Sequence, residues 1–390
     1  MKLENIARKD SFVHMERYVN NRKYSDYSMF SEVSNVYHPI EGNGSFMIGY
    51  ADLETDYSLL LANPSTDFVP NRFFVHPEML ADYSKDPVLK RLCNLDGYLE
   101  VSPTSSTRTL LPVNNTGYFV KTHLDRRISR YIRRIRASSV EHSLKISRDI
   151  DNAIDLPSNF GYLPESVGIV YGGVGQILRE STPRPFSSNS NVLIPYFSMH
   201  SHDLKNSKDE PLMVQMIKER NLNPSSFIID MIEPVVSSWC YFAQKRGILL
   251  ESHGQNTLLE LDSDLNFNRV VIRDFQSLMV DSDMRRVNGL HLDFDKHILG
   301  HEDGITSKQN YSFVYDWFLG HYLFDKIIET GEEYFDVDKK EIQGNIKEIF
   351  NHHFKDQKEF FPKEVYGFTK NWLDDNQTEL KVKRVGGEYR

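Results

Sequence analysis

Apolar residues recur every three or four positions at Ile228, Met231, Ile232, Val235, Trp239, Cys240 and Ala243. This spacing predicts an amphipathic helix that stops at Gly247. Three runs rich in β-branched and apolar residues follow, Ile248–His253, Thr257–Leu261 and Arg269–Phe275, and are predicted as strands. From Ser307 onward the chain reads as mainly helical, with a core stripe of Phe313, Trp317, Phe318, Tyr322, Leu323 and Ile327. Upstream, Tyr98–Val101 and Tyr118–Lys121 are predicted strands around a turn-rich segment ending in Asn114-Asn115-Thr116-Gly117. Ile128, Tyr131, Ile132 and Ile135 fall at helical spacing, which predicts a helix with Arg126, Arg130 and Arg133 on one side. Residues 1 to about 70, rich in Asn, Ser and Tyr, show weak periodicity and receive no element. A Pro-containing passage, Asn63 to Pro77, reads as a loop into the next unit.

With 390 residues the chain exceeds what one core fills, so two or three subdomains are expected. A hydrophobic share of 39% excludes disorder. No apolar run approaches the ~18 residues that span a bilayer. Met1–Ser11 lacks the apolar stretch of a secretory signal, and Cys93 and Cys240 offer no disulfide framework. A cytoplasmic protein is expected. A formal charge of −9 argues against nucleic acid as a partner. Against it stands a basic island, Lys121 to Arg136, with seven Lys and Arg and the single acid Asp125. Such an island in an acidic chain suits a small polyanion.

The sharpest chemistry lies in Glu251-Ser252-His253-Gly254-Gln255-Asn256, between two predicted strands, with Arg273-Asp274 at the end of a third. Kinase-like nucleotide sites use this layout, Asn and Asp holding Mg²⁺ against phosphates. Gln255 bears on the reaction. A phosphotransferase acting on a hydroxyl needs a carboxylate base near this elbow. A substrate carboxylate is already ionised and needs only aiming at a phosphate, so the neutral amide suits adenylation better. Upstream, Ser105-Ser106-Thr107-Arg108-Thr109 and Lys121 form a candidate phosphate cradle, with Arg133 beyond them.

Other features read as structural. His297-x-x-x-His301 has zinc spacing but Ile298 where a zincin carries Glu. His200-Ser201-His202 lacks a Cys or carboxylate cluster, and Tyr171-Gly172-Gly173-Val174-Gly175 lacks the Lys of a phosphate loop. Both cysteines read as buried fillers.

The order Ser106-x-Arg108-Thr109, Lys121, Arg133, Arg179-Glu180, His253-Gly254-Gln255-Asn256, Arg273-Asp274 resembles the NRPS-independent siderophore synthetases, the aerobactin-synthetase-like family. Val75-His76-Pro77 resembles the family's His-Pro motif. The likeness covers roughly residues 71 to 385. Members carry a larger N-terminal region with a His-Pro-x-His-Pro-type motif, and about 70 residues precede the matched part here.

The resemblance implies an α+β cupped-hand fold, with a fingers-like part, a kinase-like palm and a largely helical C-terminal region. Residues 1–70 would be a reduced N-terminal region, 71–210 the fingers-like ATP- and substrate-binding part, and 211–390 the palm-like catalytic part. It implies an AMP-forming ligase that joins a citrate-like polycarboxylic acid to an amine or alcohol, with ATP and Mg²⁺. Ser106, Arg108, Thr109 and Lys121 would hold phosphates. His253, Gln255 and Asn256 would line the acyl-adenylate site, with Asn256 and Asp274 at the metal. Arg133, Arg179 and His253 would meet the acid's carboxylates, and Lys121, Arg133 and His253 would carry the catalysis. A homodimer or a partner synthetase is compatible with the short N-terminal region. A kinase-like phosphotransferase and a non-catalytic member that binds a partner are the alternatives at this stage.

Overall fold

The computed structural model describes residues 1–8, 10–20, 31–65, 71–114, 116–128, 131–187, 192–300, 304–368 and 380–390. Two β-sheets and a helical half organise them. The larger sheet has eight strands: β1 Phe46–Asp52, β2 Tyr57–Leu61, β3 Arg72–Val75, β4 Gly97–Pro103, β5 Thr109–Pro112, β6 Tyr118–Lys121, β10 Glu165–Tyr171 and β11 Val174–Glu180. Their order is β2-β10-β11-β6-β5-β4-β1-β3, and every pairing is antiparallel. Between β6 and β10 run β7 Arg127–Ile128, β8 Tyr131–Ile132 and β9 Phe160–Tyr162. The smaller sheet orders β12 Val192–Pro195, β14 Thr257–Leu261, β15 Phe267–Ile272 and β9, the last two parallel. A short pair, β13 Ile248–Leu249 with β16 Met279–Val280, lies beside it. The chain passes from the smaller sheet to the larger between β9 and β10, through the buried Leu163.

Helix α1, Ser11–Tyr18, lies in the N-terminal segment, and α2, Ala137–Asp151, packs on β10 and β11. Glycine makes that approach possible. A Cβ on Gly168 would come within 2.2 Å of the Val140 side chain and one on Gly175 within 2.5 Å. The predicted long helix is α3, Pro224–Tyr241. Asn223 caps it by accepting from Ser226 N, proline occupies its first turn, and Gly247 adopts φ +59° just beyond. Its Trp239 is fully buried against Tyr315, at 4.8 Å between ring centroids, and against Phe354 and Phe361. The helices Asp325–Phe335 (α4) and Lys339–His353 (α5) complete this core.

Three expectations need correction. The basic stretch is a hairpin, not a helix: Arg127 pairs with Ile132 and Ile128 with Tyr131. Residues three or four apart on a helix face are also partners across a tight turn, so the spacing fits both structures. Arg130 lies outside the described residues. The run Ile248–His253 is strand only over Ile248–Leu249, after which the chain turns through the elbow. The passage Asn63 to Pro77, expected as a loop, contains β3 Arg72–Val75. The C-terminal region is mainly helical to Phe360, as expected, and ends in the pair β17 Glu364–Phe368 and β18 Leu380–Val385. The unassigned N-terminal residues supply α1, β1 and β2. Gly172 and Gly173, at φ +54° and +83°, form the turn between β10 and β11. His297 packs edge-on against His142, while His301 falls outside the described residues.

Burial pushes several histidines down, His76 and His200 to about 3 and His142 to about 4. Below pH 6.5 the unfolded chain binds protons that these rings refuse, so stability falls with pH, by about 1.4 kcal/mol per pH unit for each ring. Glu251, pushed up by burial to about 8, titrates in the opposite sense. The three rings outnumber it, so thermal melts are expected to show a falling midpoint from pH 6.5 to pH 4.

Candidate active site

The candidate site lies where the two sheets meet. The turn between β4 and β5 is a compact loop: Thr104 Oγ1 donates to Thr109 O at 2.8 Å, and Thr109 N donates to Ser106 Oγ at 3.1 Å. Thr107 takes a positive φ of 64° to close it. The buried Arg108 guanidinium donates to Arg133 O at 2.8 Å and to Gln276 Oε1 at 3.1 Å. Burial first, then the charge of Arg133, pulls Arg108 down to about 10.

Lys121 ends β6 opposite Thr109 and is 1% exposed. Its Nζ lies 2.5 Å from Asp274 Oδ1 and 3.5 Å from Glu165 Oε1. Glu165 also holds Arg179 at 2.6 Å, and Arg179 reaches to 3.8 Å from Asp274. Ser143 Oγ and Phe275 N donate to the other oxygen of Glu165. The ion pair joins the sheets, since Asp274 follows β15, with φ +74°, while Lys121, Glu165 and Arg179 belong to the larger sheet. Burial works to raise the Asp274 carboxyl, but Lys121, Arg179 and Arg108 outweigh it and hold it well below the usual range. Burial likewise lowers Lys121 against the pull of Asp274 and Glu165. Arg179 is raised, because Glu165 and Asp274 overcome its burial.

The elbow residues 253–256 close against this pair. Arg273 N donates to Asn256 O at 3.0 Å, which sets Asn256 beside the start of Asp274's turn. The Asn256 side chain makes no hydrogen bond among the described residues, and the contacts of Asp274 run through Oδ1. His253 Nδ1 accepts from Gln255 N at 3.2 Å, so the neutral ring carries its proton on Nε2. Burial, helped by Arg273 and Arg133, pushes His253 down to about 4. It is therefore an uncharged donor near pH 7, set edge-on against Phe318 at 5.4 Å. Glu251, accepting from Ser277 Oγ at 3.0 Å, is protonated at that pH.

All ten residues singled out from the sequence fall in this region. Lys121, Asp274, Arg179 and Arg108 form one electrostatic cluster, and Arg133 acts on both Arg108 and His253. Ser106 and Thr109 sit in the adjoining loop. Gln255 turns its amide to Ser105 Oγ at 2.9 Å. Sequence reasoning assigned no role to Glu165, Glu251 or Glu16, whose partners lie up to 257 residues away. Only the Glu251 position, at the head of the motif, carried a local signal. Beside the cluster, a cavity of about 840 Å³ lies between α1 (Phe12, Val13, Arg17) and the larger sheet (Ser102, Leu111, Phe119). It begins two residues from Lys121 along β6 and does not contain the ion pair.

A magnesium ion fits the donors present. Asp274 and Asn256 offer hard oxygens, and no cluster of three His, Cys, Asp or Glu among the described residues could hold a metal unaided.

No protein-family profile and no curated protein matches the chain. Solved structures do. The petrobactin biosynthesis protein AsbB from Bacillus anthracis matches with TM-score 0.69 at 17% identity, over 88% of this chain and 68% of that one. ATP-bound aerobactin synthetase IucA from Klebsiella pneumoniae matches with TM-score 0.70 at 12% identity, over 98% and 79%. Aerobactin synthetase IucC from Klebsiella pneumoniae matches with TM-score 0.63 at 15% identity, over 87% and 69%. The chain thus has the mixed α+β fold of the NRPS-independent siderophore synthetases.

The buried charges make a stability prediction. Arg179→Met leaves Glu165 short of a partner and is expected to cost about 3–5 kcal/mol in chemical denaturation. Arg179→Met combined with Glu165→Leu should cost less than the sum of the single changes.

Proposed function

We propose that the chain is an ATP-dependent ligase that adenylates a citrate-like polycarboxylic acid and condenses it with an amine or a hydroxyl, in the assembly of a siderophore or related metabolite. The observation that carries this reading is the pair of the buried Lys121 with the partly exposed Asp274, with Arg108 and the Asn256 amide beside it. It is a preformed place for phosphates and a divalent cation. The shared fold with an ATP-bound synthetase supports it. We assign ATP and the acid to residues 71–210, the elbow to 211–390, and the protein to the cytoplasm. No described helix is long and apolar enough to cross a membrane.

In the first step a carboxylate oxygen of the acid attacks the α-phosphate of ATP. The bond to the bridging oxygen breaks and pyrophosphate leaves with the electron pair. Lys121 moves from Asp274 to the phosphates, and Ser106, Arg108 and Thr109 hold them from the loop. Bound Mg²⁺, held by Asp274 and Asn256, would supply neutralising charge at the phosphates. Arg133 and the Nε2–H of His253 orient the acid, and Arg179, held by Glu165, keeps the local potential positive. In the second step the nucleophile attacks the acyl carbon, the bond from that carbon to the phosphate oxygen breaks, AMP leaves with the electron pair, and the nucleophile's proton passes to solvent. The adenylate forms without a base, in keeping with the neutral Gln255 and the protonated Glu251.

The test is pyrophosphate release from Mg-ATP across citrate, 2-oxoglutarate, succinate and glutamate, with hydroxylamine as nucleophile. Release with one acid is expected, and Lys121→Ala or Asp274→Ala should lower it by at least about a hundredfold in folded protein. ADP in place of AMP would turn the reading to phosphotransfer. No ATP binding at all would leave a non-catalytic binding protein.

A further inference from the structure

We propose that Glu16, on α1, is a positioning residue that holds the phosphate loop and the elbow in register. The inference rests on the ATP-dependent reading above and adds a residue to it from the N-terminal segment. Glu16 is 0% exposed, and its two oxygens divide between two distant parts of the chain. Oε1 accepts from Arg273 Nη2 at 2.5 Å. Oε2 accepts from Ser105 N at 3.1 Å and Ser105 Oγ at 2.7 Å. Ser105 Oγ in turn accepts from Gln255 Nε2 at 2.9 Å, and Arg273 donates to Gln255 O at 2.7 and 2.9 Å. The four residues close a circuit: Glu16, Ser105, Gln255, Arg273 and back to Glu16.

What makes the circuit informative is its neighbours. Ser105 precedes Ser106 of the phosphate loop, Gln255 precedes Asn256, and Arg273 precedes Asp274. Three of the proposed phosphate and metal contacts, Ser106, Asn256 and Asp274, are thus the next residues along the chain from members of the circuit. A shift of Glu16 displaces all three together. Glu16 itself is fixed by the rest of its helix. Arg17 donates to Pro39 O at 2.6 Å and Gly44 O at 2.9 Å, and His14 Nε2 lies 2.8 Å from Asp203. Gln255 therefore acts through the circuit as a positioning residue, in place of the direct ATP contact expected from its motif. A carboxylate is the side chain this junction needs: it accepts three hydrogen bonds at once and balances the buried Arg273 charge.

The experiment uses the full chain, with Glu16→Gln, Glu16→Asp and Ser105→Ala. Mg-ATP binding is measured by calorimetry, the melting midpoint by fluorescence, and hydrogen exchange at residues 104–109 and 253–256. Glu16→Gln and Ser105→Ala are expected to weaken Mg-ATP by about tenfold to a hundredfold, with Glu16→Asp between them and the unmodified chain. KM for ATP should rise more than kcat falls, and exchange should quicken in both segments together. A lowered midpoint with unchanged affinity and exchange would overturn the proposal and leave Glu16 a stabilising residue only. Should Glu16→Gln fail to fold, Ser105→Ala decides in the same way. An unmodified chain that binds no Mg-ATP would overturn the ligase reading instead. The exchange data would then decide alone, quickening in both segments supporting the coupling and no change refuting it.

Discussion

Four charges govern this structure: the buried Lys121, Arg179 and Glu165, and the partly exposed Asp274. Each is costly to remove from water, and their mutual attraction offsets that cost only while the geometry holds. The pairing is close where the sheets meet, at 2.5 Å for Lys121 and Asp274, so the two sheets cannot drift apart without leaving the buried Lys121 charge short of a partner. Glu165 lets the cluster persist without a ligand, since it satisfies Arg179 and lies within 3.5 Å of Lys121. A nucleotide triphosphate with its cation brings the same two kinds of charge, and so can replace the internal pairing one for one. On the proposed reading the cluster stands in for the bound state. That accounts for an arrangement which an apolar core of similar volume would match in stability.

The elbow is tuned in the opposite direction. Next to this concentration of charge, His253 is neutral and Glu251 is protonated, both through burial. The site therefore separates fixed charges from uncharged hydrogen-bonding groups, a division that on the proposed reading lets the first attract phosphates and carboxylates and the second orient them. The positive φ of Asp274 and of Thr107 belongs to the same economy of space, as both chain turns bring side chains to the junction at some backbone cost.

Motif residues were legible because chemistry restricts them to few residue types. Ser106-x-Arg108-Thr109, Lys121, Asn256 and Asp274 all stood out before any fold was known, and the fold class followed from their order. The strands Tyr118–Lys121 and Thr257–Leu261 and the helix ending at Gly247 were legible from apolar period and turn chemistry. The hairpin around Ile128 and Tyr131 was not, because a spacing of three serves a helix face and a tight turn alike. The strand Tyr57–Leu61 was also hidden. It sits at the sheet edge, two of its leucines are exposed, and it lacks the alternation of a half-buried strand. Glu16 carries no local signal at all, since its partners are 89 and 257 residues away.

The choice between adenylation and phosphotransfer comes down to the proton. Transfer to a hydroxyl releases a proton in the step that makes the phosphorus bond, so a base must stand ready at the elbow. Gln255 cannot serve: its amide is neutral and its nitrogen already donates to Ser105. His253 accepts at Nδ1 and carries its proton on Nε2, so the ring offers a donor rather than a base. Burial pushes the Glu251 carboxyl up to about 8, which makes it a poor base at neutral pH. Asp274, the group that stays ionised, is engaged by Lys121 and suited to a cation. The proposed reading follows from this: an acceptor that arrives already deprotonated suits this elbow, and a carboxylate is such an acceptor. The proton of the condensation step then leaves only after the energy-rich bond has formed, when an activated acyl group makes even a weak base sufficient.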